Sequence, residues 1–525
     1  MKVRAISLFT AVTLIFCIAA GRVYYIIDSA DCTAASEQMT YVLTIDKPRG
    51  NIYDCNLRKL VGTQSRYTAA VSPNVSAVNE ITKRLGSGAK PALELLRAGK
   101  PAAIEVTADF DAEESVLFTT SVRYSAVQTA SHLIGYTDAS GHGVTGIESA
   151  YDDFLTCEDA VTVTYTVDAT GRPLSGVEPV VSGSTDIKTG VILTVDSTVQ
   201  RAAEQAAQSL GTGAVIVMDA DDGDIRAICS VPDYSPLNIA AALESSTSPL
   251  VNRALSPYDV GSVFKILVAA AAIDGGVSPS HRYTCTGNIK IGTNVFNCHD
   301  LDGHGSINMT DALCGSCNPY FITLARLCGA DKLFKLCRSL SLGSERSLAD
   351  GLVSAAGTLP DEQTVKDQPA ALANFAFGQG KLLLTPVDVA VMTAMTANGG
   401  YAVTPRVVSG VMLTDGSVTE LKHQAPQRVI SEYAASQVSR MMQAVISDGT
   451  GAAAMPETGG AGGKTATARA GYTVGGEKVD QCWFSGFYPA KDPQYVITVF
   501  GENGVSGAST CAPVFKAICD SLAKM

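Results

Sequence analysis

The beginning of this chain constrains it most. Lys2 and Arg4 precede an apolar run from Ala5 to Gly21, which Arg22 interrupts and Val23-Tyr24-Tyr25-Ile26-Ile27 resumes. As helix, the unbroken run spans roughly 25 Å, the lower limit for crossing a bilayer. Arg22 can snorkel to the outer interface, where the tyrosines after it are also at home. The positive flank then stays inside, and everything downstream is expected on the outer side of the cell membrane as a single-pass protein. A cleaved signal peptide is the competing reading, since Ala19-Ala20-Gly21 has the small residues of a cleavage site. The retained anchor is preferred because the apolar run continues past Arg22. Phe16, before Cys17, argues against a lipoprotein signal. On either reading the body of the protein is exported.

The whole chain has 525 residues, more than one core usually organises, so at least two domains are expected. Hydrophobic residues at 46% against 17% charged fit a folded protein and exclude a disordered one. The net charge of −12, without any basic run, argues against nucleic acid as a partner. The fourteen cysteines do not follow the spacing of a small disulfide framework. Cys314-Gly315-Ser316-Cys317 has redox C-x-x-C spacing but no thioredoxin-like surroundings, so it reads as buried thiols.

From Tyr41 to about Val167 the chain reads as short strands and turns, and Ser182-Gly183-Ser184-Thr185 marks a boundary. Val191 to Asp196 reads as a strand, and Ser197 to Leu210 as a helix with Val199, Ala203, Ala206 and Leu210 on one face. Ala214–Met218 and Asp224–Ser230 form a hairpin about an acidic turn. Late strands are expected around Gly462–Arg469, Cys482–Tyr488 and Tyr495–Phe500. Early and late strands in one sheet, with helices between, make an α+β catalytic domain.

Three short motifs carry chemistry. In Ser262-Val263-Phe264-Lys265, serine and lysine share one helix face a turn apart, so a neutral lysine amine can take the hydroxyl proton. Ser316-Cys317-Asn318 adds a hydroxyl and an amide, suited to relaying a proton and holding a carbonyl. Lys464-Thr465-Ala466-Thr467, after a glycine-rich stretch, offers a cation, two hydroxyls and a strand edge for an extended peptide. Each is weak alone; their order is strong.

Together they resemble the active site of penicillin-binding proteins and serine β-lactamases. Gly378-Gln379-Gly380, Thr385-Pro386, Ala397-Asn398-Gly399-Gly400 and Trp483-Phe484-Ser485-Gly486-Phe487 resemble class B penicillin-binding proteins in particular. Arg49-Gly50-Asn51-Ile52-Tyr53-Asp54, and Gly146-Ile147-Glu148 with Tyr151, look like that family's non-catalytic signatures. The resemblance implies an anchor over 1–27, a β-rich pedestal over 28–185 and a transpeptidase domain over 186–525, with an antiparallel sheet flanked by helices. It implies Ser262 as nucleophile on a D-Ala-D-Ala carbonyl, Lys265 as general base, and Ser316 with Asn318 relaying the proton and positioning peptide. Lys464, Thr465 and Thr467 would bind the terminal carboxylate, and N–H groups of Ser262 and Thr467 would line the oxyanion hole. Stem peptides, β-lactams and a separate glycan polymerase would be the partners, with no metal or organic cofactor required.

Three expectations depend on detail. Ala466 stands where the family usually has glycine, so its methyl is expected under the bound peptide, narrowing the cleft, the alternative being a Cβ that points away from the cleft and a nearly silent change. His299 and His304 flank Asp300 and Asp302, but the stretch reads as a loop that matches no zinc-ligand spacing. Cys285 and Cys298 bracket a hairpin and are expected to form a disulfide, the alternative being two reduced cysteines in a core. Two other functions use the same motifs: an exported β-lactamase or β-lactam sensor, which the long N-terminal half disfavours, and a non-catalytic scaffold of the wall-synthesis complex.

Overall fold

A computed structural model describes residues 2–28, 39–157, 159–474 and 477–525. The chain divides into two compact units, 1–49 with 62–123 and 156–187, and 50–61 with 124–155 and 188–525. Two segments of the N-terminal half, 50–61 and 124–155, thus cluster with the C-terminal residues, although both precede the Ser182–Thr185 boundary in sequence.

In the first unit, α1 (Lys2–Asp28) runs unbroken through Arg22, so its apolar part, Ile6–Ile26, is about 31 Å long and exposed along its length. Its length matches the hydrocarbon thickness of a bilayer. The strands are β1 (Thr40–Asp46), β2 (Gln64–Val71), β3 (Ala102–Val106), β4 (Ser115–Val122), β5 (Val161–Thr166) and β6 (Val180–Ser182). They form two antiparallel three-stranded sheets, ordered β1-β5-β6 and β3-β2-β4. Two helices, α2 (Val75–Leu85) and α3 (Lys90–Arg97), break the expected series of strands and turns. The Asn74 side chain accepts from the Ala77 N–H to start α2, and Ala77, Ile81, Ala92, Leu93 and Leu96 face a common core.

The second unit contains α4 (Ser197–Ala207), started by the Asp196 carboxylate, and the hairpin β7 (Gly213–Asp219)–β8 (Ile225–Val231). Helix α5 (Lys265–Asp274) is followed by β9 (Tyr283–Cys285), the hairpin β10 (Asn288–Ile291)–β11 (Asn294–Asn297) and β12 (Gly305–Ile307). Then come α6 (Asn318–Cys328), α7 (Pro386–Ala397), β13 (Gly462–Val474), β14 (Glu477–Tyr488), β15 (Tyr495–Gly501) and α8 (Ala512–Leu522). Early and late strands join in one antiparallel sheet, ordered β8-β7-β15-β14-β13.

Alternation decides what each face of this sheet covers. Ala214, Ile216, Trp483 and Phe500 belong to the helical core around α5; Val215, Val217, Phe484 and Val499 pack with Phe515 and Ile518 of α8. The side chains of α5 are buried from Lys265 to Ile273, so this helix is surrounded on every side. Thr385 and Asp388 form a capping box that starts α7, with Pro386 as its first residue, and the buried Asp388 carboxylate accepts from Arg346 Nε at 2.5 Å. The fold is α+β, with an N-terminal apolar helix.

Candidate active site

Two glycines make the turn that enters α5. Gly261 has φ +59°, and its N–H donates to Gly378 O at 2.9 Å. Gly378 itself has φ +75°, and a Cβ there would lie 2.0 Å from Gly261 O. Only glycine permits that approach, which accounts for the first residue of Gly378-Gln379-Gly380. Gly261–Phe264 then makes a tight turn that runs straight into α5, setting the half-buried Ser262 one turn before Lys265.

Lys265 has no exposed surface, and its Nζ is spoken for in several directions. It lies 2.7 Å from Ser316 O, 3.2 Å from Ser316 Oγ and 2.7 Å from Asn318 Oδ1. Ser316 reaches it from a left-handed backbone, φ +51°, uncommon for a residue other than glycine and found where a site demands it. Asn318 opens α6, and its Nδ2 donates to Asn297 O at 3.1 Å. Burial pushes the Lys265 ammonium well below its usual range, and the positive charge of Lys464 pushes it further. A neutral amine keeps two N–H donors, which match Ser316 O and Asn318 Oδ1, and leaves a lone pair for a hydroxyl proton.

Lys464 is also fully buried, and desolvation brings its ammonium down to about 7. Its Nζ donates to Thr465 O at 2.9 Å, and Thr465 Oγ1 lies 2.9 Å from Thr450 Oγ1. Thr467 is exposed, and its Oγ1 accepts from Gly507 N–H at 3.2 Å. All three stand on β13, an edge strand, which leaves a row of backbone groups for an extended peptide. The structure thus brings Lys265, Ser316 and Asn318 into direct contact and sets Lys464 within their electrostatic reach.

Ala466 departs from its expected place. It pairs with Trp483, is only 4% exposed and belongs to the helical core around α5. A Cβ built on Gly261 would sit 3.5 Å from its methyl, so that methyl lies behind the Ser262 turn and does not narrow the cleft. The sequence shows the residue change, but which way a side chain points on an edge strand depends on register. Trp483 does more than pack, since its Nε1 donates to Asp259 O at 2.8 Å, while Gln481 Oε1 accepts from Asp259 N–H at 2.7 Å. The pair fixes the segment leading to Ser262. Gln481 carried no motif; its place on β14 opposite Ala468 is the only signal.

The expected Cys285–Cys298 bridge is not formed, and both are free thiols. The hairpin between them is present as β10–β11, but the sulfurs meet His304 and Cys317 instead. His304 therefore leaves the acidic loop with which it was grouped, while the Asp300 carboxylate accepts the Asp302 N–H in a local turn.

The family described as the penicillin binding protein transpeptidase domain matches residues 213–520. Stage V sporulation protein D of Bacillus subtilis is 28% identical over 96% of this chain and 82% of its own length. A peptidoglycan D,D-transpeptidase, PbpA of Mycobacterium tuberculosis, is 27% identical over 59% of this chain and 66% of its own. Among solved structures, penicillin binding protein 3 of the same organism in complex with aztreonam matches in fold. Its TM-score is 0.66 at 24% identity, over 92% of this chain and 97% of that one.

Proposed function

The chain belongs to the penicillin-binding protein transpeptidases, and on that premise we propose that it is a peptidoglycan D,D-transpeptidase that cross-links stem peptides through an acyl-enzyme on Ser262. The observation that carries this reading is the dry Lys265 amine, one helical turn from Ser262 and held by Ser316 and Asn318.

Lys265 takes the Ser262 hydroxyl proton as Oγ attacks the penultimate D-Ala carbonyl. N–H groups of Ser262 and Thr467 receive the oxyanion, ordinarily a large share of such a rate enhancement. The C–N bond to the terminal D-Ala breaks, and Ser316 passes the proton to the leaving amine. An acceptor amine then attacks the ester, forming the cross-link and returning Ser262 to its hydroxyl form. Lys464, Thr465 and Thr467 hold the terminal carboxylate, and Asn318 positions the donor peptide. β-Lactams occupy the same site and acylate the same serine.

The exposed, membrane-length α1 supports a retained single-pass anchor, with Lys2 and Arg4 on the inner side and the chain after α1 outside. Residues 28–185 serve as a non-catalytic pedestal and 186–525 as the transpeptidase domain, and a separate glycan polymerase supplies the strands. Labelled penicillin tests the reading: the adduct is expected on Ser262 by peptide mapping and lost in Ser262→Ala. An adduct elsewhere with Ser262 unmodified would sink it.

A further inference from the structure

Four donor side chains meet beside Asn318. The sulfurs of Cys285, Cys298 and Cys317 and a ring nitrogen of His304 all lie within 4.8 Å of one another. Cys298 Sγ is 4.0 Å from Cys317 Sγ and 3.4 Å from His304 Nδ1. Tetrahedral zinc, with bonds of about 2.3 Å to sulfur and about 2.0 Å to nitrogen, spaces its donors about 3.8 Å (S to S) and about 3.5 Å (S to N) apart. A disulfide would need sulfurs about 2.05 Å apart and would use two of the four groups.

The backbone is shaped to deliver these donors. Cys285 ends β9, which pairs with β12 just after His304. Gly303 turns with φ +85°, where a Cβ would lie 2.4 Å from Cys285 O, so the chain passes over Cys285 only as glycine. Cys298 follows β11, and its N–H donates to Gly287 O at 2.8 Å. Gly315 leaves room for the imidazole, since a Cβ there would lie 2.8 Å from His304 Nε2.

We propose that Cys285, Cys298, His304 and Cys317 bind one zinc ion as a closed four-ligand site that positions the Ser316-Cys317-Asn318 motif. Zinc binds the cysteines as thiolates and so releases their thiol protons. All four positions are filled by protein, so the ion offers no place for substrate and acts structurally. Cys317 lies between Ser316 and Asn318, and Asn318 is itself bonded to Asn297, next to Cys298. The ion would clamp both sides of that contact and so hold the groups that touch Lys265.

The test uses the full chain in detergent, purified under reducing conditions and supplied with zinc. Elemental analysis is expected to find one zinc per chain, and cobalt in its place to give the strong visible bands of a tetrahedral thiolate site. Cys285→Ser and His304→Ala are each expected to lose the ion to a chelator at least tenfold more readily. Should a variant fail to fold, chelation of the unmodified protein answers instead, with a lowered melting temperature that zinc restores. No retained zinc, full alkylation of these cysteines with zinc present, a Cys298–Cys317 disulfide in the reduced preparation, or iron in zinc's place would each overturn the assignment. The positioning role rests on the reading of Ser262, and zinc removal is expected to slow penicillin acylation at least tenfold. Unchanged acylation with zinc removed overturns that role alone, whereas no acylation in any form, zinc being bound, points to failure of the Ser262 reading.

Discussion

Replacing the carboxylate at the end of a donor peptide by a carboxamide should change how acylation depends on pH, as well as its rate. Lys464 sits on the buried side of the edge strand, and desolvation lowers its ammonium from 10.5 to about 7. That shift corresponds to about 5 kcal/mol of unfavourable charging, which a docked carboxylate offsets. At pH 6 about nine-tenths of the free enzyme carries the charge, and at pH 9 about one hundredth. The preference for acid over amide, measured as a ratio of kcat/KM for acyl-enzyme formation, should therefore fall roughly 90-fold over that range, or about 2.7 kcal/mol. Lys265 must be neutral for either substrate, so its titration cancels in the ratio. Rapid-quench acylation with a matched pair of ester or thioester donors at pH 6, 7, 8 and 9 supplies the numbers. A ratio that holds steady from pH 6 to 9 would refute the argument, because Lys464 would then either stay charged throughout or not touch the carboxylate. Lys464→Met should give a low ratio that no longer depends on pH.

Further outcomes follow from neighbouring groups. Lys265→Ala should slow penicillin acylation by about 10²–10⁴-fold, with the circular-dichroism spectrum unchanged. Ala466→Gly should leave the acylation rate within about twofold of the parent while costing about 1 kcal/mol of stability, since its methyl packs in the core; a clear acceleration would restore the narrowed-cleft view. Gly378→Ala forces a Cβ against Gly261 O and should lower both melting temperature and penicillin labelling; parental values in both assays would show that the turn is not needed. Because the folded-state value for Lys464 lies below that of the unfolded chain, the fold binds fewer protons between about pH 7 and 10.5, and its stability should rise with pH there. Lys464→Met should stabilise more at pH 7 than at pH 9 in paired denaturant melts.

The candidate site residues were legible because the chemistry proposed for them fixes both residue type and spacing. A serine and lysine one turn apart can work only at a helix start, and the late β-branched runs could hardly be anything but strands. Other features depended on information that does not run along the chain. Cys285, Cys298, His304 and Cys317 have no ligand spacing of their own, because a hairpin and two glycine turns bring them together. The direction of Ala466 followed from strand register, which the residue change itself does not reveal. The helices α2 and α3 carried their signal in Asn74 and in apolar residues at helical spacing, within a stretch whose glycines and prolines drew attention to turns. The clustering of 50–61 and 124–155 with the later residues is a tertiary fact, and the composition of those segments does not foretell it.

The enclosure of α5 bears on how this protein can vary. A helix surrounded on every side from Lys265 to Ile273 offers few positions where a replacement is cheap, since added bulk strains the packing and lost bulk leaves a void. Sequence drift should therefore be slow along this helix and faster at exposed rim positions that hold neither the carboxylate nor the oxyanion. Variants that discriminate between a drug and a stem peptide should arise mostly at that rim, with the reacting machinery unaltered behind it.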